Sequence, residues 1–111
     1  MSVVFLLTAL NVHAQSGKVS ATVIDADTRK GVPGAVVEFA PADTTAQKRY
    51  FTSGYGGRID VAVPYGEYTV AVSFLGYDTF TEKLKLSSAR KSLGTIELEP
   101  GSTQIEAVVK E

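Results

Sequence analysis

Residues 67–75 read EYTVAVSFL and carry the clearest structural signal in the sequence. One face of this stretch collects large apolar side chains, namely Tyr68, Val70, Val72 and Phe74. Alternate side chains point to opposite faces of a β-strand, so the period of two predicts a strand with one face in the core. Gly66 before the stretch and Gly76 after it are typical of the turns that bound a strand.

Six further short strands are predicted on either side of this one. Each is rich in apolar or β-branched residues, and Gly, Pro and Asp turn residues separate it from its neighbours. These strands are predicted over residues 18–26, 35–40, 49–53, 59–63, 79–86 and 93–99. No window of eleven residues has a helical period, and only residues 86–93 (LSSARKSL) suit a helical turn.

Seven short strands separated by turns predict an all-β fold. We expect a seven-stranded antiparallel β-sandwich of the immunoglobulin or transthyretin type, with Greek-key links. A small closed barrel is the competing architecture. The inward rows are large enough for one core, because burying each large apolar side chain contributes about 1.5–3 kcal/mol.

The composition excludes several function classes. The 111 residues include 11 Lys and Arg against 12 Asp and Glu, so no basic surplus is available for nucleic acid. The absence of cysteine excludes disulfides, thiolate metal sites and cysteine nucleophiles. His13 is the single histidine and precedes a predicted cleavage site, so the mature chain lacks the usual base for nucleophilic catalysis. We therefore expect no catalytic residue, no cofactor and no enzyme activity.

The first fourteen residues have the features of a secretory signal peptide. The apolar run at residues 3–10 (VVFLLTAL) is too short for a transmembrane helix, which takes about 20 residues. Modest side chains at Val12 and Ala14 suit cleavage after Ala14, although no Lys or Arg precedes the run. We expect residues 1–14 to be removed, which leaves an exported chain without a transmembrane segment. A buried N-terminal strand is the alternative.

Tyrosines in the predicted turns are candidate binding residues. Tyr55 and Tyr65 are flanked by turn glycine or proline, where an exposed ring can stack on a sugar or anchor a protein partner. Tyr68 and Tyr77 are instead expected to bury their rings and to hydrogen-bond loop backbone through their hydroxyls.

The charged residues favour structural roles over metal binding. Asp25 and Asp27 have the alternate spacing of calcium ligands, but the run lacks the later acidic ligands of a calcium loop. We expect them to cap a turn, and we expect no metal site. The basic residues Lys85, Arg90 and Lys91 are expected to form a solvated edge that opposes strand-to-strand aggregation.

The order of strands and turns resembles the carboxypeptidase regulatory-like domain family. The family pattern runs through a Gly-x-Val strand, an Asp-rich turn, a Pro/Gly-Ala-x-Val strand, a Thr or Ser followed by Gly-x-aromatic, and then Pro-x-Gly-x-Tyr, Gly-Tyr and Leu-x-x-Ile-x-Leu segments. The matching segments here are Gly17-Lys18-Val19, residues 25–28, Gly34-Ala35-Val36-Val37, Ser53 with Gly57-Arg58-Ile59, Pro64-Tyr65-Gly66-Glu67-Tyr68, Gly76-Tyr77 and Leu93-Gly94-Thr95-Ile96-Glu97-Leu98. Ile59 departs from the aromatic residue that is usual there. The resemblance covers residues 17–100.

The resemblance implies a transthyretin-like sandwich over residues 15–100 with a regulatory or structural role. With a signal peptide before it, the arrangement is similar to the N-terminal extension of TonB-dependent outer-membrane receptors of Bacteroidota, in which the sandwich lies in the periplasm ahead of the plug and barrel. It implies a non-enzymatic accessory domain for uptake of a glycan or peptide nutrient. The implied partner is a periplasmic or outer-membrane protein, TonB-like or the receptor plug.

Residues 101–111 are predicted to be a linker that resembles the TonB box. The candidate partner-binding residues are Ile105, Glu106, Val108 and Val109. An extended β-prone segment binds by adding a strand to the edge of a partner sheet. Ala107 and Lys110 depart from the family's residues, and a plain linker is the alternative.

Two other functions remain open from the sequence. One is an exported stand-alone module for carbohydrate binding or adhesion, which would use the turn tyrosines. The other is the regulatory domain of a peptidase, for which this sequence contains no catalytic part.

Overall fold

The computed structural model describes residues 15–101, which form two β-sheets packed face to face. Seven strands are present: β1 Ser16–Asp25, β2 Val36–Pro41, β3 Arg49–Thr52, β4 Arg58–Pro64, β5 Gly66–Ser73, β6 Phe80–Leu86 and β7 Arg90–Leu98. A 3-10 turn, Tyr55–Gly57, precedes β4. The prediction of an all-β sandwich with seven strands is confirmed.

Two predicted segments lie outside the described residues. They are the signal peptide at residues 1–14 and most of the tail, including Ile105, Glu106, Val108 and Val109. Both stay predictions.

The two sheets have the strand orders β4-β1-β7 and β3-β2-β5-β6. All pairings between these strands are antiparallel except one, because β1 pairs with β7 in parallel from Lys18↔Arg90 to Asp25↔Leu98. The prediction of a wholly antiparallel sandwich is therefore wrong at this pair. Parallel neighbours require a long crossover, and here five strands intervene, so no hairpin fixes the relative direction. The Greek-key links stay a prediction.

One apolar core joins the two sheets. Its largest fully buried side chains are Phe39, Leu86, Ile96, Leu98, Val19, Val23, Val37, Val63, Val70 and Val72. The sequence also predicts inward rows in β1 (Val19, Ala21, Val23) and in β7 (Ile96, Leu98), and both rows are confirmed, as is that of β5 up to Val72. Phe74 was expected to continue the β5 row, but the strand ends at Ser73 and Phe74 is 39% exposed. The Tyr77 N–H donates to the Phe74 carbonyl in a turn, which takes the ring out of the strand's alternation.

The stretch proposed for a helical turn is also different in the structure. Residues 87–89 form a short connection, and β7 begins at Arg90. β7 therefore begins three residues earlier than the strand predicted over residues 93–99. Gly94 has φ of 72° in a β-bulge within β7, which interrupts the period of two near the middle of the strand.

Candidate functional site

The loops gather at the two ends of the sandwich. The strand register decides which loop belongs to which end, because β1 runs from Ser16 to Asp25 while β4 runs the opposite way. The Gln15 end consists of Gln15 and residues 42–48, 64–66 and 87–89. The Gly101 end consists of residues 26–35, 53–57, 74–79 and 99–101.

The two candidate stacking tyrosines lie at opposite ends. Tyr55 is in the 3-10 turn of the Gly101 end and is 96% exposed. Tyr65 connects β4 to β5 at the Gln15 end and is 37% exposed. The seven residues of β4 separate them, which is about 20 Å at the rise of a β-strand. The two rings therefore belong to separate surfaces and do not share one small ligand.

Tyr65 lines an open groove at the Gln15 end. The groove has a volume of about 430 Å³ and lies between the β2–β3 loop and the β4–β5 turn. Tyr68 lies beside it, with its hydroxyl donating to the Pro64 carbonyl at 2.6 Å and its ring edge-on to Phe39 at 5.8 Å between centroids. The prediction that Tyr68 buries its ring and bonds loop backbone is confirmed. Burial raises the pKa of this hydroxyl.

Charged side chains of both signs line the same groove. They are Asp43, Arg49 and Glu67. Asp43 orders its own loop, because its Oδ1 accepts the Thr45 hydroxyl at 2.7 Å and the Thr45 N–H at 3.0 Å. The Thr45 hydroxyl is the main cause that lowers the pKa of Asp43, and the N–H lowers it further. An aromatic ring beside polar groups of both signs is suited to hold a polyhydroxylated ligand.

At the Gly101 end, Asp25 organises the loop that follows β1. Its Oδ1 accepts the N–H groups of Asp27 at 2.7 Å and Thr28 at 2.9 Å, which confirms the turn-capping role predicted for it. Its Oδ2 accepts the Tyr77 hydroxyl at 2.6 Å. Tyr77 was expected to bond loop backbone, and that prediction is wrong because a carboxylate from across the end is its partner.

The Asp25–Tyr77 hydrogen bond changes the titration of both groups. It is the main cause that lowers the pKa of Asp25, and it is the main cause that raises the pKa of Tyr77. The fold thus favours an ionised carboxylate next to a protonated phenol, which ties the loop after β1 to the β5–β6 loop. Across residues 15–101, no group of three or more Asp, Glu, His or Cys side chains is placed to hold a metal ion.

A buried serine holds the loops of the Gly101 end from beneath. Ser53 is 4% exposed, accepts the Ala35 N–H at 2.9 Å through Oγ and donates to the Val32 carbonyl at 2.6 Å. These bonds join the end of β3 to the beginning of β2. A serine before a turn glycine gave no indication of this role, since its two partners are distant in sequence.

The last described residues are fixed to the β5–β6 loop. The Asp78 N–H donates to the Glu99 carbonyl, and the Gly101 N–H donates to the Gly76 carbonyl, both at 2.8 Å. The chain therefore leaves the sandwich at this end.

Exposed apolar side chains mark the same end. We call Tyr55 (96% exposed), Phe74 (39%) and Leu75 (85%) the apolar cap. The sequence did not single out Leu75, because the predicted strand extended through residue 75 and placed Phe74 in the core. The observed end of β5 at Ser73 is what frees both side chains for the surface.

The predicted basic edge is also in place. Lys85 lies on β6, and Arg90 and Lys91 lie on β7. Both strands are at the edge of their sheet, and all three side chains are exposed. As for helices, the described part of the chain contains none with the length and apolar character needed to cross a membrane.

Comparison with known proteins supplies a family. The sequence model described as carboxypeptidase regulatory-like domain matches residues 18–106, which is most of the chain. No curated protein matches the sequence.

Comparison with solved structures supplies the fold. The group B streptococcus pilus 2b backbone protein is 18% identical with a TM-score of 0.59, over 80% of this chain and 43% of that one. The Bacillus anthracis TIE protein is 17% identical with a TM-score of 0.62, over 78% and 17%. The 3-chlorocatechol 1,2-dioxygenase from Rhodococcus opacus 1CP is 8% identical with a TM-score of 0.63, over 78% and 60%.

This chain thus spans less than two thirds of each of those three proteins. At such identities the likeness shows the fold alone. One sandwich architecture occurs in a pilus protein and in a dioxygenase, so the fold does not assign a function.

Proposed function

Since the chain belongs to the carboxypeptidase regulatory-like domain family, we propose that it is a non-enzymatic accessory domain of a TonB-dependent receptor that takes up a glycan or peptide nutrient at the outer membrane. In this proposal the chain is exported, lies in the periplasm and contacts a protein partner through its Gly101 end.

The observation that carries the proposal is the position of the apolar cap. Single exposed apolar residues are ordinary, but here three large ones share the end at which the chain leaves the sandwich. None of the three belongs to the buried core of the described domain or to the partly buried side chains packed against it. Aromatic side chains are enriched where proteins meet, so a following domain or a partner protein is the natural cover for this end.

The state of the carboxylates also supports a non-catalytic role. Within residues 15–101, a lowered pKa occurs at Asp25 and Asp43. Asp43 caps its own loop, and Asp25 caps its own loop through Oδ1 while its Oδ2 accepts the Tyr77 hydroxyl. Catalytic acids and bases usually show the opposite pattern, in which burial or a like charge moves the pKa toward neutrality.

Leu75→Asp tests the contact at the apolar cap. In the isolated chain we expect an unchanged unfolding midpoint, because Leu75 is 85% exposed. In the full receptor we expect uptake to fall by more than about tenfold, because a charge left buried and unpaired in an interface costs about 2–5 kcal/mol. The measurement is growth on a panel of glycans and peptides as sole carbon source, followed by uptake of the labelled compound that supports growth.

Ser87→Asp is the matched control, since it adds the same charge to an exposed connection at the Gln15 end that does not line the groove beside Tyr65. It should leave uptake unchanged. Equal uptake by both variants would contradict a partner contact at the apolar cap.

The receptor context has a test of its own. An antiserum against this domain should detect it in the outer-membrane fraction of the source cells, on a polypeptide large enough to include a plug and a barrel. Detection only as a free polypeptide of this length would contradict the receptor proposal and would favour a stand-alone exported module.

A carbohydrate-binding module is the second candidate, and the groove at the Gln15 end favours it. Tyr65 is the ring that would stack on a sugar there, with Asp43, Arg49 and Glu67 beside it. For this candidate, a glycan array followed by calorimetry should show binding that Tyr65→Ala abolishes. Tyr55→Ala should retain the binding, because Tyr55 lies at the other end. Loss of binding in both variants would contradict a site in this groove.

A further inference from the structure

Each of the two sheets has two edge strands, whose backbone groups have no neighbouring strand on one side. The edges are β4 and β7 in one sheet and β3 and β6 in the other. Such groups pair with another chain unless the edge is short, bulged or interrupted by proline. The four edges therefore differ in how readily a further strand can add to them.

Three of the edges are poorly suited to accept a strand. β3 has only four residues. β4 ends in Pro64, which has no N–H to donate. β7 contains the bulge at Gly94, and its Arg90 carbonyl already accepts the Ser88 hydroxyl at 2.9 Å.

β6 is the edge without these interruptions. Its seven residues contain neither glycine nor proline. They pair with β5 without a bulge, from Gly66↔Leu86 to Val72↔Phe80. β6 therefore has the regular spacing of N–H and C=O groups that a further strand requires.

The pairing of β5 shows which backbone groups of β6 face outward. The Ala42 N–H, just after β2, donates to the Glu67 carbonyl at 2.9 Å, so the backbone of Glu67 faces β2. Alternate residues of a strand direct their backbone groups to opposite sides, so the backbone of Tyr68 faces β6, where it pairs with Leu84. The β6 residues whose backbone groups point away from the sheet are therefore Thr81, Lys83 and Lys85.

The side chains along this edge are mostly basic. Lys83 and Lys85 are exposed on the outer face of β6, and the exposed Arg90 and Lys91 begin β7 three residues after β6 ends. None of these four cations forms an ion pair with another described residue. Glu82 is the one acidic residue of β6, and it lies on the opposite face of the strand from the two lysines.

These charges favour an acidic strand as the occupant of the edge. Opposite charges on directly paired strand residues stabilise the pair, and like charges destabilise it, so a second copy of β6 is disfavoured. On the β5 side, Lys85 has Glu67 as its register partner, whereas Lys83 has the neutral Thr69. Lys83 therefore has the charge that an added carboxylate would compensate most.

We propose that the β6 edge binds an extended acidic segment of a partner protein, which adds as a fifth strand to the four-stranded sheet. The backbone of this segment bonds to the outward groups of β6, and its carboxylates, at alternate positions, lie opposite Lys83 and Lys85. The edge runs along the side of the sandwich, so this contact goes beyond the proposed accessory role and does not depend on a partner at the apolar cap.

The acetylated peptide Thr-Val-Glu-Val-Glu-Val-Thr, labelled for fluorescence anisotropy, tests the proposal on the full 111-residue chain. We expect it to bind, and we expect Lys83→Glu with Lys85→Glu to weaken the binding at least about tenfold. The unfolding midpoint should change little, because both lysines are exposed. Lys18→Glu with Arg58→Glu is the matched control, since it makes the same change in net charge at exposed positions of the other sheet and should retain the binding.

Amide hydrogen exchange distinguishes strand addition from attraction between charges alone. With the peptide bound, the N–H groups of Thr81, Lys83 and Lys85 should exchange at least about tenfold more slowly. Those of Glu82 and Leu84 should change little, because they already face β5. A peptide of the same sequence with every backbone amide N-methylated keeps the charge but loses the donors, so it should not bind.

Four results would overturn the proposal. They are no measurable binding of the parent peptide, equal binding of the N-methylated peptide, equal binding by the two double variants, and unchanged exchange at Thr81. Each concerns the β6 edge alone, so none of them would decide the Leu75→Asp experiment at the apolar cap.

Discussion

Val72→Asp is expected to leave the isolated chain unfolded. Val72 is fully buried in β5, between Val37 of β2 and Phe80 of β6. Removing the valine loses about 1.5–3 kcal/mol of burial. The carboxylate that replaces it has no partner in an apolar core and costs several kcal/mol more, against a total stability of about 5–15 kcal/mol for a domain of this kind. Far-UV circular dichroism and a urea titration measure the outcome.

Thr69→Asp is the matched control on the same strand. Thr69 lies on the outer face of β5 and is only partly buried, and its register partner on β6 is Lys83. A new carboxylate there faces water and a neighbouring ammonium group, so we expect a change below about 1 kcal/mol in the free energy of unfolding. A loss in Thr69→Asp as large as that in Val72→Asp would show that β5 is buried on both faces.

The contrast between these two positions shows why so much of the fold was predictable. In a half-buried strand, alternate residues face the core and the solvent, and the sequence shows this as a period of two. β5 keeps this alternation without a break from Tyr68 to Val72. The period of two does not show at which residue the strand ends. Phe74 keeps the period, yet it lies beyond the last ladder residue and turns outward with Leu75.

The relative direction of β1 and β7 could not be predicted from the sequence, for a different reason. Hairpin-linked neighbours such as β5 and β6 are obliged to be antiparallel, and they are. β1 and β7 are distant in sequence, so their side-chain pattern would be the same in either direction. The parallel pairing is visible only in the folded chain.

The candidate site was predictable in part. Turn glycine and proline indicated that Tyr55 and Tyr65 are exposed, and they are. The sequence also implies that these two tyrosines lie far apart, because one strand separates them and its two ends lie at opposite ends of the sheet. The hydrogen bond between Asp25 and Tyr77 could not be predicted, because the two residues are 52 positions apart and the sequence around one does not indicate the other.

Gly57→Ala is the second substitution with a large expected effect. Gly57 is the last residue of the 3-10 turn that begins at Tyr55. Its φ of 82° is a conformation that favours glycine. A Cβ there would lie 2.1 Å from the carbonyl oxygen of Val23 and 2.9 Å from the nitrogen of Val32. Those two atoms belong to groups that bond to each other, because the Val32 N–H donates to the Val23 carbonyl. The added Cβ would therefore collide with two backbone groups, which cannot rotate away as a side chain can.

We expect Gly57→Ala to cost more than about 4 kcal/mol, which puts it among the most damaging single substitutions. Gly56→Ala separates the clash from the backbone conformation. Gly56 has a similar φ of 70°, but an added Cβ meets nothing within 4 Å, so this variant should lose only the 1–2 kcal/mol or so of a left-handed alanine. Urea titration of both variants gives the comparison. Similar losses would mean that the 3-10 turn moves away from β1 at little cost, and Tyr55 would then be carried on a loose loop instead of being held at a fixed place beside the exit of the chain.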